Sequence, residues 1–243
     1  MSSKGFTRLI CSVLSLLAVG AFFSSASAAE IDSKIAYGGM LYDNWPELIK
    51  GEVSKETHPS YPKESKKKGK STWRCKECHG WDYKGKDGHY GVQGSSSYTG
   101  IKGIRAMDGA DPAKIVAIIK DKTHALNQDM LSQSEIEALA LFVSKGQTDM
   151  DKFVDLKTGK ALGNVTKGEA YYNTVCAKCH GLDGKKPKDM PESLGKLSNR
   201  VPWETAHKIR NADPAPEMPA LRAFPLDIQI DILAYTQTLS QER

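Results

Sequence analysis

Apolar positions in this chain recur at helical spacing. Ile136, Leu139, Ala140 and Val143 share one face, Ser132 with Glu135 makes a capping-box start, and Gly146 stands just past the end. Together they predict a helix between residues 132 and 146. Pro112 opens a second helical stretch, Ala113 to Lys122, and Pro202 a third, Trp203 to Asn211; proline is tolerated there because the first turn leaves its N–H unpaired anyway. The run Ile230-Asp231-Ile232-Leu233-Ala234 repeats the pattern of Ile136-Glu137-Ala138-Leu139-Ala140 near the C-terminus. The longest apolar run, Leu9 to Phe23, is different in kind. It follows Lys4 and Arg8 and precedes Ala26-Ser27-Ala28, the layout of a cleaved secretory signal over residues 1–28, and it is short for a membrane span. An exported, periplasmic protein with no integral membrane span after cleavage is expected.

With 243 residues, 40% hydrophobic and 26% charged, the chain has the composition of a water-soluble globular protein of one large or two small domains. Its 34 basic and 29 acidic residues are nearly balanced, more so once Lys4 and Arg8 leave with the signal. Such a balance gives nucleic-acid binding no support. Of the five cysteines, Cys11 lies in the signal, and the other four form two C-x-x-C pairs.

Each pair is followed by histidine and glycine: Cys75-Lys76-Glu77-Cys78-His79 and Cys176-Ala177-Lys178-Cys179-His180. The C-x-x-C-H spacing suits covalent haem attachment, two thiols adding across the two vinyl groups while the adjacent imidazole becomes the proximal iron ligand. Cys75, Cys78, Cys176 and Cys179 are therefore the candidate attachment residues for two haem c groups, and His79 and His180 the proximal ligands. A zinc ribbon would bring its pairs within about 20 residues of one another, and a thioredoxin-like dithiol would need a βαβ context. Neither condition holds in this sequence.

The motif recurs 101 residues on, and the proline-started helix and the C-terminal helix recur after it in the same order. Between these helices each copy places one methionine, Met130 and Met218, the candidate distal ligands; a thioether serves both iron oxidation states. Met107 and Met190 are rivals that lie closer in sequence to the proximal histidines. His58, His89, His124 and His207 are alternative distal ligands that would make a centre bis-histidine, with His124, six residues before Met130, the nearest to a suitable position. Each proximal histidine is expected to donate its other ring N–H to a backbone carbonyl.

With Gly168-Glu169-Ala170-Tyr171-Tyr172 before Cys176, His180-Gly181 after it, Met218-Pro219 and the final helix, the chain resembles the tandem dihaem class I cytochromes c, similar in layout to the cytochrome c4 group. The resemblance implies an all-α fold of two tandem class I cytochrome c domains, each a small helical module around one covalently bound haem, and electron transfer as the activity. It places domain 1 at 29–148, a linker at 149–166 and domain 2 at 167–243. In domain 1 the N-terminal helix corresponds to Ile35 to Trp45, with Gly39 and Tyr42 as counterparts of Gly168 and Tyr172. About 29 residues are inserted before Cys75, a proline- and lysine-rich excursion over about 46–72.

Around the first motif, Lys63, Lys66, Lys67, Lys68, Lys70, Arg74, Lys76, Lys84 and Lys86 outnumber the acidic residues. This basic collar would steer an acidic redox partner, with Arg74 also a candidate for pairing with a haem propionate. Trp73, Trp81, Tyr83 and Tyr90 read as packing around the first haem. The function expected is a periplasmic carrier moving electrons between respiratory or dehydrogenase partners. The alternatives are a permanently bound electron-transfer subunit of an oxidoreductase complex and a haem enzyme acting on thiosulfate or peroxide. The enzyme reading is the weaker, since dihaem thiosulfate dehydrogenases use a cysteine that the mature chain does not have to spare.

Overall fold

The computed structural model describes residues 29–126, 129–188, 190–215 and 218–243. The expected signal segment lies outside the described residues. Among them, no strand forms, and no helix is long and apolar enough to cross a membrane. Helix α1 covers 29–48, and α2 is the short Cys75–His79 turn. Pro112–Ile119 forms α3, and α4, Gln133–Leu141, runs on into a π-helical turn at Phe142–Gly146. The C-terminal half holds α5 (Val165–Val175), α6 (Ala177–His180), α7 (Leu194–Arg200), α8 (Pro202–Asn211) and α9 (Leu226–Thr236).

Local chemistry explains the helix ends. Ser132 accepts from the Glu135 N–H while the Glu135 carboxylate accepts from the Ser132 N–H, the reciprocal cap expected from the sequence. The Asp111 and Asn164 side chains cap α3 and α5 in one direction only, accepting from Ala113 N and Lys167 N, and prolines open α3 and α8 as expected. Ile136, Leu139, Ala140 and Val143 are buried. Gly146, however, closes the π turn rather than standing beyond the helix end.

In each half the first and last helices cross at a glycine. A Cβ on Gly38 would lie 2.1 Å from the Ala138 carbonyl oxygen in α4, and one on Gly168 would lie 1.9 Å from that of Asp231 in α9. Beside each crossing, aromatic rings meet: Tyr42 with Phe142 at 5.4 Å and Tyr172 with Tyr235 at 5.2 Å. These contacts correct the expected register. Gly38, not Gly39, is the counterpart of Gly168, and Ala138 rather than Glu137 is the counterpart of Asp231.

Gly39 has a separate use, at the contact between the halves. Its carbonyl accepts from His207 Nε2 at 3.0 Å, and a Cβ there would lie 2.5 Å from the Asn211 side chain. The stretch expected as a linker is likewise part of the core. Met150 and Val154 are buried, and the Gln237 side chain binds Ala161 N and the Gly159 carbonyl. The excursion over 46–72 is irregular as expected, ending in a 3₁₀ turn at Gly69–Trp73 whose tryptophan donates to the Glu56 carbonyl.

Candidate functional site

Both cysteine–histidine turns are built to one plan. Gly80 and Gly181 follow the histidines with φ of 81° and 78°, left-handed values that a side chain would resist, and each turns the chain sharply out of its short helix. The Gly80 carbonyl accepts from Tyr42 Oη at 2.6 Å, and the Gly181 carbonyl from Tyr172 Oη at 2.7 Å. Next, the His79 carbonyl accepts from Gly85 N at 2.8 Å and the His180 carbonyl from Lys186 N at 3.0 Å. A tyrosine from the first helix of each half thus latches the glycine after the motif, and a backbone bond closes the loop that follows.

The second turn opens into a cavity of about 680 Å³ lined by Cys176, Cys179, His180, Met190 and Met218. Leu194, Leu197, Ile209, Leu221 and Ile232 supply an apolar wall, and the volume lies within the range of about 300–1,000 Å³ usual for small-molecule and cofactor sites. Two thiols, an imidazole and a thioether on an apolar cavity are the donor set of a covalently held haem, and the residues fit that group. Met218 and its rival Met190 both reach the cavity.

Among the described residues, no disulfide joins Cys75, Cys78, Cys176 or Cys179. Burial pushes Cys75 and Cys78 up to about 12 and Cys176 up to about 11, the reverse of the low pKa a dithiol redox catalyst requires. The pairs do not converge: among the described residues, no group of three or more His, Cys, Asp or Glu side chains is arranged to hold a metal ion.

At the first turn, His79 Nδ1 donates to the Lys102 carbonyl at 2.7 Å, the orienting bond expected for a proximal histidine. The ring of His79 lies with its centroid 6.4 Å from that of His124, the planes inclined at 37°. Met130 and Met107 are partly buried against the core. The remaining histidines have other roles. His58 Nε2 donates to the His124 carbonyl at 2.6 Å, and the His89 ring lies 4.1 Å from that of Trp203. His207 is fully buried between Tyr83 Oη and the Gly39 carbonyl. Trp73, Trp81, Tyr83 and Tyr90 are buried, Trp73 against His58 and Trp81 and Tyr83 against His207.

Much of the basic collar is neutralised within the fold. Lys67 and Lys76 both pair with Glu77, Lys84 pairs with Asp151, and Lys86 with Asp87 at 2.8 Å. Arg74, a candidate propionate partner, is instead bound to the Asp43 carboxylate and main chain. Lys63, Lys66, Lys68 and Lys70 remain exposed. No periodic signal in the sequence marks the contacts of the 46–72 excursion with the 123–124 loop, because they are made by single polar side chains.

No curated protein and no solved structure matches this chain. Residues 163–234, from just before α5 through most of α9, match the family model for cytochrome C oxidase, cbb3-type, subunit III, which supports a c-type cytochrome domain in this stretch and suggests electron transfer through a covalently bound haem.

Proposed function

We propose that the chain is an exported electron carrier with two haem c centres, one at Cys75, Cys78 and His79 and the other at Cys176, Cys179 and His180. The observation that carries this reading is the duplication of the turn with its tyrosine latch, Tyr42 on Gly80 and Tyr172 on Gly181. A stretch matching the cytochrome model contains the second copy, and the first repeats its tyrosine latch and its loop-closing backbone bond. The two modules would span 29–148 and 167–243, with residues 149–166 packed between them.

When bound, haem supplies an iron that cycles between ferric and ferrous states. The protein's share is placement. The cysteine pairs tether the group at two points, and the His79 ring is fixed by its bond to the Lys102 carbonyl, which also raises its basicity as a ligand. In the second centre His180 would hold the iron as proximal ligand and Met218 as distal ligand, Met190 being a cavity neighbour. Leu194, Leu197, Ile209 and Ile232 exclude water there, which favours the less charged ferrous form. Acidic redox partners would meet the exposed Lys63, Lys66, Lys68 and Lys70. The family description, which names an oxidase subunit, favours as a second reading a chain held permanently in such a complex.

The test is haem stoichiometry by pyridine haemochrome on protein matured in a periplasm. Two haems per chain are expected, with Cys75→Ala/Cys78→Ala and Cys176→Ala/Cys179→Ala each losing one. One haem in the unmodified protein would overturn the reading. Met218→Ala should abolish the ferric sulfur-to-iron charge-transfer band that Met190→Ala retains; the opposite result would exchange the two assignments.

A further inference from the structure

We propose that the first centre is bis-histidine, with His124 rather than Met130 opposite His79, and that the 46–72 excursion exists to brace the loop that presents it. The proposal rests on the two-haem reading above and deepens it.

The separation of the rings is the first argument. Two imidazoles bound in line to one metal ion, at about 2 Å per metal–nitrogen bond, place their ring centroids about 6 Å apart. A direct N–H···N hydrogen bond, at about 2.9 Å between nitrogens, would bring the centroids to about 5 Å, and stacked rings would lie closer still. The observed 6.4 Å leaves room for a metal ion between the rings and is too long for a direct hydrogen bond between them.

Tautomers supply the second argument. His79 Nδ1 is bound to the Lys102 carbonyl at 2.7 Å, and His124 Nδ1 to the Ile118 carbonyl at 2.9 Å, with the Asp121 carboxylate 3.3 Å away. Since a carbonyl only accepts, each Nδ1 carries a proton, which leaves Nε2 as the ring nitrogen through which each histidine would bind a metal. This is the state in which histidine ligates iron, and a carbonyl or carboxylate on the far nitrogen is the usual support of such a ligand.

The third argument is the investment in the loop. His58 Nε2 donates to the His124 carbonyl at 2.6 Å, and Ser60 Oγ to the Thr123 carbonyl at 2.5 Å, both from the excursion that the second half lacks. The Asp121 carboxylate accepts from Thr123 N at 2.8 Å, and Ala125 is held at a φ of 50° immediately after the histidine. These bonds fix the backbone on both sides of His124 and with it the position of the imidazole.

A bis-histidine centre has a lower potential than a histidine–methionine one. The two haems would then differ, and an electron entering at the first would run downhill to the second.

The experiment is near-infrared magnetic circular dichroism of the unmodified ferric protein, followed by carbon monoxide binding to ferrous variants. One bis-histidine and one histidine–methionine band in equal amounts are expected, with two resolved reduction waves. His124→Ala should let carbon monoxide bind half of the haem, and added imidazole should restore the original spectrum. Met130→Leu should change neither band. Two histidine–methionine bands in the unmodified protein, or loss of one band in Met130→Leu, would overturn the proposal without touching the haem count. A count of one haem per chain would instead overturn the two-haem reading on which it rests.

Discussion

His207 is the side chain whose protonation the fold resists most visibly. Burial pushes it down to about 4, against the partial compensation of Asp43 and the bond to the Gly39 carbonyl. Its Nε2 donates to that carbonyl and its Nδ1 accepts from Tyr83 Oη, so both nitrogens are used in the neutral form. The unfolded chain takes up a proton at this residue near pH 6.5 and the folded chain only near 4, so between these values the unfolded state binds more protons and stability rises with pH. The full difference is about 3 kcal/mol, present above pH 6.5 and lost as the pH falls to 4. Denaturant unfolding at steps from pH 4 to 7 should show this slope. His207→Gln, which keeps a donor for Gly39 without a titrating ring, should flatten it; an unchanged slope would assign the acid sensitivity elsewhere. The sequence singled out His207 only as one of four candidate ligands. Its burial depends on contacts across more than a hundred residues, with Tyr83 and Gly39, which no local pattern encodes.

Helix crossings are where the sequence pattern was most informative and also where it slipped. The capping box, proline starts and apolar faces are local properties, and each helix they marked forms, whereas α7, which carries none of these marks, went unread. The register between repeats is not local. In Ile136 to Ala140 and Ile230 to Ala234 nearly every position is apolar, so a one-residue slip costs the pattern nothing, while Gly38 and Gly39 carry no side chain to tell them apart. Only the crossing distance distinguishes them. Gly38→Ala and Gly168→Ala force a methyl into a backbone carbonyl that cannot move without its helix, an overpacking cost of about 3 kcal/mol each. Thermal melting midpoints should fall by roughly 10 °C in both. Gly39→Ala meets an asparagine side chain instead, which can shift, and should cost less. Equal losses at Gly38 and Gly39 would contradict the assignment of Gly38 to the crossing. The C-x-x-C-H turns were legible because their chemistry is confined to five residues. The bracing of His124 by His58 and Ser60 was not, because isolated polar contacts at long range leave no periodicity.

Across the whole molecule the halves are joined by buried polar groups rather than by an apolar seam alone. Asp43, fully buried in α1, is paired with Arg74 of its own half and, at 3.1 Å, with Lys208 of α8. Burial by itself would raise Asp43; the Lys208 and Arg74 cations hold it below the usual carboxylate range instead. Because its folded pKa is depressed, the stabilisation is present above the carboxylate range and lost as the pH falls through it, a window below that of His207. Nearby, Arg222 Nη2 donates to Asn211 Oδ1 at 2.7 Å and to the carbonyl of Gly146, in the π turn of the other half, at 2.8 Å. Such groups stabilise only while both halves are in place, since separation would expose partners that satisfy one another. The molecule should therefore unfold as one unit, and Asp43→Asn, which strips the shared anion from two cations, should cost about 3 kcal/mol felt in both halves. Hydrogen exchange read by mass spectrometry checks this directly: amides of α9, which does not contain Asp43 or either of its cations, should lose protection in parallel with those of α4. Faster exchange confined to α4 would show that the halves open independently, and that the polar junction positions them without coupling their stability.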